Sequence, residues 1–329
     1  MSDRVPTFRV IASARSSGGG HAVAGNIATA ARLHPDLLGD DPRSDAAFVT
    51  LNWVDPRRVG DRPFALMPQN AWPWSGEVSG VQPRARRWAL RAASELSMRR
   101  ATGVIRISDV IPARRRAVGD VLPNVLDEGF EQALADAEHA RPLLEEGPYF
   151  ASIGSLTTYR GISHLVRGYA AYRDAGGRIP LVIAGPGSVP LRDARRAADI
   201  TAGVTFVEQH VPRPTVLATF RNATAAVFPS TVEVNAPLTA LEAIATCRAV
   251  LVSDIPGHRA LASGPRYYGT TDADELGRQL LDIDQAQRAA ALPSPTDADE
   301  VERRAEVRRA WCDGLAQRLR AVAARMSAA

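Results

Sequence analysis

The sequence predicts an α/β chain of two parallel-sheet domains facing a central cleft. Strand-like and helix-like segments alternate along all 329 residues, the pattern of parallel sheets covered by helices. The length suits two domains of about 100–200 residues each. An acidic, strand-poor stretch over Phe130–Glu146 is followed by an aromatic restart at Tyr149–Phe150. That break sets the expected domains at 1–146 and 147–329.

In the first half, apolar runs at Phe8–Ala12, Ala47–Trp53, Phe64–Pro68, Gly103–Ser108 and Val121–Pro123 are expected as strands. Helices are expected over His21–Leu33, Gln82–Arg99 and Asp109–Ala117. In the second half the strands are Tyr149–Ile153, Pro180–Ala184, Val204–Val207, Ala225–Pro229 and Ala249–Ser253. Gly161–Ala175, Leu191–Thr201, Pro212–Arg221 and Pro237–Thr246 are the helices between them. Pro293–Asp299 reads as a loop. Val301–Met326 reads as a long Arg-rich helix with Leu315, Leu319, Val322 and Ala323 on one face. It is a candidate to fold back onto the N-terminal domain.

Composition narrows the function. Hydrophobic residues make up 45% of the chain, enough for real cores. No apolar run approaches the roughly 18 residues that span a bilayer. The first residues read as a strand rather than a leader, so a cytoplasmic protein is expected, with peripheral membrane contact kept open. Cys247 and Cys312 are far apart and lack metal-ligand spacing. There is no lysine, so all 40 basic residues are Arg. Net charge is only +4, yet ten Arg between Val81 and Val118 face two acids, a local balance of +8. A contact with an anionic surface through Arg84–Arg116 is one reading, and a solvated helix face is the plain alternative. No nucleic-acid partner is expected.

The most informative segment is PSTVEVNAPLTALEAIA, Pro229–Ala245. A strand ends at Pro229, a loop follows, then a helix. Asn235 suits a helix cap and Pro237 the first turn. The amides of Leu238 and Thr239 would face an anion such as a diphosphate. Glu242 lies one turn further on the same face. Its carboxylate would reach about 6 Å from that anion, the distance of an attached ribose. A carboxylate accepts two hydroxyl hydrogen bonds, and vicinal ribose hydroxyls supply them.

Here the chain resembles the retaining glycosyltransferases of family 4 (glycosyl transferases group 1), which have the GT-B fold of two Rossmann-like domains. Their nucleotide-binding domain carries PS-x-x-E and then L-E-A, with two glutamates eight positions apart. Glu242 matches the second, the ribose ligand. Val234 stands at the first position, and the nearest acid is Glu233. FASIGSLTTYRGISHL (Phe150–Leu165) is similar to the family's diphosphate-gripping segment, with Arg160 at the Lys position and Ser155 at the Arg position, next to Gly154. LVIAGPG (Leu181–Gly187) resembles its glycine turn, and the backbone at His210–Val211 would contact the base. LVSDIPGHRAL (Leu251–Leu261) resembles the next strand and loop, with Ala260 at a usually acidic position. Cys247 stands where a helix-ending Gly is usual.

The resemblance implies metal-free sugar transfer from a nucleotide-diphosphate sugar to an acceptor hydroxyl, with retention and no further cofactor. Arg160 and Glu233 would act at the reacting centre. Gly18, Gly19 and Gly20 would approach the leaving phosphate as a glycine loop, while Gln69, Asn70, Trp72 and His21 would face an acceptor of unknown type. Asp282-Ile-Asp284 and Asp272-Ala-Asp274 read as solvated acids, not metal ligands. Two rivals stand beside this reading. One is a nucleotide-sugar epimerase or sugar phosphorylase on the same frame. The other is a catalytically silent nucleotide-binding subunit, which Val234 and Ser155 favour.

Overall fold

The computed structural model describes residues 6–11, 19–50, 54, 59–68, 84–109, 111, 116–145, 147–187, 202–233, 235–261, 264–270, 272–289 and 298–328. The chain divides into two compact units, Met1–Glu128 with Glu302–Ala329, and Gly129–Val301.

The first unit holds a parallel sheet of β1 (Phe8–Ile11), β2 (Leu38–Gly39), β3 (Ala46–Val49), β4 (Phe64–Leu66) and β5 (Gly103–Val104), ordered β2-β1-β3-β4-β5. Every residue of β3 and β4 is buried, as a parallel sheet covered on both faces requires. Its helices are α1 (Gly19–Leu33) and α2 (Arg84–Arg100), joined by the late helix α9 (Ala298–Ser327). The apolar face expected of the late helix is the buried one: Leu315, Leu319 and Val322 are fully buried and Ala323 nearly so. Trp311 donates its indole N–H to the Pro123 carbonyl at 2.8 Å, and the Arg318 guanidinium donates twice to the Asp120 carbonyl. Gly103 is small by necessity, because a Cβ there would lie 2.6 Å from Val322 Cγ2.

The second unit holds β6 (Phe150–Ile153), β7 (Leu181–Ala184), β8 (Val204–Val207), β9 (Ala225–Phe228), β10 (Val250–Ser253) and β11 (Arg266–Tyr268). All neighbours are parallel, in the order β11-β10-β9-β6-β7-β8. Among the described residues the helices are α3 (Gly129–Asp136), α4 (Ile162–Asp174), α5 (Arg213–Asn222), α6 (Leu238–Thr246), α7 (Pro256–Arg259) and α8 (Ala273–Arg288). Two apolar clusters form the core. One gathers Tyr149, Phe220 and Phe228, the other Phe150, Tyr169 and Tyr172.

Several expectations are corrected. Val121–Pro123 is no strand: its neighbourhood is held by α9 side chains, which take the carbonyls of Asp120 and Pro123. Most of the expected helix Asp109–Ala117 lies outside the described residues, and at its end Ala117 and Val118 are drawn to the sheet edge at Val104. Only Gly103–Val104 of the expected fourth strand pairs in the sheet. Gly19 and Gly20 open α1 rather than lie in a loop. The strand-poor stretch after Glu128 contains α3. It belongs with the second sheet, since Leu143 N–H donates to Thr219 Oγ1 and Glu138 pairs with Arg221. Asp284 is buried, accepting from the Tyr172 hydroxyl at 2.7 Å and from Arg288, so it is not solvated. Asp272 caps α8 by accepting from Glu275 N–H at 2.8 Å. The expected helix Leu191–Thr201 lies outside the described residues. Among the described residues no helix is long and apolar enough to cross a membrane.

Truncating a fully buried Leu leaves a cavity that costs about 3 kcal/mol. Leu319→Ala should lower urea stability by that order. An unchanged unfolding midpoint would show that α9 does not contribute to the core of the first unit.

Candidate functional site

The second sheet starts at β6, runs outward through β7 and β8, then returns to the other side of β6 at β9. Open α/β sheets hold ligands beyond the carboxyl ends of the strands at such a reversal. The two loops that leave this point are Gly154–Gly161, after β6, and Pro229–Pro237, after β9. Both are the segments the sequence singles out.

The loops are fastened to each other. Thr231 N–H donates to the Tyr159 carbonyl at 2.8 Å. Gly161 follows the 3-10 turn Thr158–Arg160 and has φ 67°. A Cβ there would sit 1.8 Å from the Pro229 carbonyl oxygen, so only Gly permits this approach. Gly154 accepts a similar contact from the next turn: a Cβ on Gly185 would lie 1.8 Å from the Gly154 oxygen. A small pocket is lined by Gly154, Ser155, Arg160, Pro229 and Ser230.

Two acids lie on the segment that follows β9, each with its own cation. Glu233 is bonded by the Arg160 guanidinium and accepts from Ser230 Oγ at 3.0 Å. Burial pushes the Glu233 carboxyl above the ordinary carboxylate range, while Arg160 and Ser230 pull it down. Glu242, only 8% exposed, accepts from Arg213 Nε at 2.7 Å. Arg213 opens α5 and stands 5.8 Å from the Phe130 ring centroid, a cation–π arrangement.

The start of α6 differs from expectation in one detail. Pro237, not Asn235, occupies the cap position, with extended dihedrals and no side-chain cap. Asn235 instead accepts from the neighbouring Ala236 N–H at 2.7 Å. The amides of Leu238 and Thr239 are among those that a helix leaves outside its own ladder. The helix ends at Cys247 in an extended conformation, so no left-handed Gly is needed. Val211 is buried in the core, whereas His210 is exposed at its edge. The structure therefore brings together Gly154, Ser155, Arg160 and Glu233, with Glu242 on the helix that follows. Of the first-unit residues, Gly19, Gly20 and His21 lie in α1, and the His21 side chain is outside the described set. Gly18, Gln69, Asn70, Trp72 and Val234 lie outside the described residues.

Sequence reasoning missed two participants. Arg213 is one, and its only local signal is a position at a helix start. The other is His258, fully buried in α7. Its Nδ1 lies 2.8 Å from the Ser253 carbonyl oxygen, which can only accept, so Nδ1 carries the proton. Nε2 then bears the lone pair, and it is buried without a hydrogen-bond partner among the described residues. Ser253 Oγ donates to the Ser230 carbonyl. A Cβ on Gly257 would lie 2.5 Å from Glu233 Cβ. The loop after β10 thus backs the Glu233 carboxylate.

Residues 135–263 match the family model described as Glycosyl transferases group 1. No curated protein matches the chain in sequence. Solved structures resemble its fold along most of its length. A structure described as trehalose-6-phosphate from E. coli bound with UDP-2-fluoro glucose aligns at TM-score 0.58 with 14% identity, covering 91% of this chain and 77% of the other. The alpha,alpha-trehalose 6-phosphate synthase of Burkholderia multivorans aligns at 0.56 with 16% identity over 94% and 78%. Sucrose-phosphate synthase of Thermosynechococcus elongatus aligns at 0.56 with 18% identity over 92% and 75%. The fold is the two-sheet α/β architecture expected, GT-B.

Burial lowers the His258 imidazole pKa from 6.5 to about 4, the Ser253 bond opposing it and the nearby Arg160 charge adding to it. The native state keeps this ring neutral while the unfolded chain takes up a proton first. Stability is therefore full above pH 6.5 and falls towards pH 4, by up to about 3 kcal/mol. His258→Gln lacks that titration, so its stability deficit should narrow by this amount as pH falls. Denaturant curves at pH 7.5 and 4.5 check it, and a deficit equal at both would refute the buried neutral ring.

Proposed function

We propose, for a chain whose residues 135–263 match the group 1 glycosyl transferase family model, that it moves a sugar from a nucleotide-diphosphate donor to an acceptor hydroxyl with retention. The observation that carries this is Glu242, a nearly buried carboxylate one turn into a helix whose start faces the strand-order reversal. A bound ribose would share that carboxylate with Arg213. The UDP sugar named for the E. coli structure supports the same donor class.

In this reading Arg160, Ser155 and the amides at Leu238 and Thr239 receive the diphosphate, with Gly154, whose N–H is spent on the Ala184 carbonyl, leaving room beside them. The backbone at His210–Val211 meets the base. Charge on the leaving phosphate is stabilised by a fixed guanidinium and a helix start rather than by reorganising water. The bond from the anomeric carbon to the phosphate oxygen breaks as the acceptor oxygen bonds to the same face. The acceptor's proton passes to the departing phosphate, and no metal is invoked. Glu233 faces the donor sugar once the diphosphate draws Arg160 away from it.

The Arg160–Glu233 pair also favours a second reading. Paired, the two charges neutralise each other, and Ser155 adds none. A silent nucleotide-binding subunit would look the same. Donor turnover by the purified chain, with and without acceptors, separates the two.

Ligands that bind only the native state raise its melting temperature. Among UDP, GDP, ADP and TDP sugars, at least one is expected to do so. Glu242→Gln, which keeps a partner for Arg213, should weaken that donor at least tenfold, the order of one hydrogen bond to a charged group. Unchanged affinity would remove Glu242 from the ribose site. Arg160→Ala should weaken nucleoside diphosphates far more than nucleosides, and an equal loss on both would exclude a phosphate contact.

A further inference from the structure

Helix α2 leaves part of its apolar surface outside the core. A surface helix ordinarily buries its apolar stripe and exposes its polar one. Here the buried positions include Ser94 and Ser97, alongside Met98. Ser97 Oγ donates to the Ala93 carbonyl and accepts from Val54 N–H at 3.0 Å, so its burial is satisfied. The outward positions carry Trp88, 65% exposed, and Leu96, 57% exposed. Ala85, Ala89 and Ala92 between them are exposed too. Trp88, Ala92 and Leu96 recur every four residues and so form one stripe, about 12 Å long.

Cations flank this stripe. Arg91, Arg99 and Arg100 are exposed, and the Arg91 guanidinium lies 5.8 Å from the Trp88 ring centroid. Arg84, Arg86 and Arg87 add to the first turns in sequence, and Glu95, paired with Arg91 at 3.0 Å, is the helix's only acid. An exposed Trp or Leu alone means little, but an apolar stripe rimmed by one sign of charge marks a contact surface.

We propose that α2 is a docking face for an anionic lipid bilayer. Both halves of the face are used by that partner. Trp and Leu enter the boundary between headgroups and acyl chains, where an indole is favoured for its apolar body and polar N–H. The guanidiniums meet lipid phosphates, which they bind as planar forks. A soluble polyanion would engage the arginines and leave Trp88 and Leu96 in water. The proposal does not depend on the reading of the second unit as a sugar transferase.

The test is sedimentation of the full chain with vesicles of phosphatidylcholine and phosphatidylglycerol in equal parts, against phosphatidylcholine alone. The chain should bind the mixed vesicles and not the neutral ones. Replacing both apolar residues, Trp88→Ser with Leu96→Ser, should lower the partition coefficient about a hundredfold. Arg99→Gln with Arg100→Gln should lower it about tenfold or more. Leu96→Trp should raise it, which guards against a double variant that fails to fold. Heparin binding should ignore the Trp88 and Leu96 changes. Absence of binding to mixed vesicles, equal binding to neutral ones, or equal binding by the Trp88/Leu96 variant would each overturn the proposal, the last pointing to a soluble polyanion.

Discussion

A carboxylate taken out of water needs a cation beside it, and the second unit is organised around two such pairs. Glu233 and Glu242 sit on the segment that follows β9, matched by Arg160 from the loop after β6 and by Arg213 from the start of α5. Removing either cation would leave a nearly buried charge uncompensated, which is far more damaging than losing an exposed ion pair. The loops must therefore keep their mutual spacing. The glycine at 161, lying against the Pro229 carbonyl, is what lets them come that close.

The absence of lysine shapes this chemistry. A guanidinium is planar, stays charged at any ordinary pH and donates in fixed directions. Arg160 is thus held on Glu233 in a fixed geometry in the unliganded state. A loop built on Lys would deliver a mobile point charge instead. The all-Arg composition also explains α2, whose cations combine with Trp88 through a planar, weakly hydrated group.

Much of the fold was legible because its signals are local. Short apolar runs such as Val204–Val207 became strands with the expected bounds, and the face Leu315, Leu319, Val322 and Ala323 could be read from helical spacing alone. Glu242 was legible for the same reason, being one turn from a recognisable helix start. Arg213 was not, because 29 residues separate it from Glu242 and only the strand order brings them together. His258 was hidden likewise: a lone histidine in a loop shows nothing until Ser253 and Gly257 place it behind Glu233. Val121–Pro123 looked like a strand because its composition suits one, but α9 reaches its carbonyls first. The division of the chain falls before α3 rather than at 146/147, since the contacts of that stretch with α5 cannot be seen in its own composition.

The two cysteines acquire a use from where they lie. Cys247 closes α6 in the second unit and Cys312 lies within α9 in the first, both buried and both unpaired. Burial raises each thiol pKa to about 11, which leaves roughly a thousandth as reactive thiolate at pH 8. With no lysine amine to compete, a thiol-selective electrophile reaches its target sulfur chiefly when a unit opens. Each unit therefore carries its own chemical clock, and the rates at which the two sulfurs become alkylated would time the opening of the two halves separately, within one molecule and without any label being introduced.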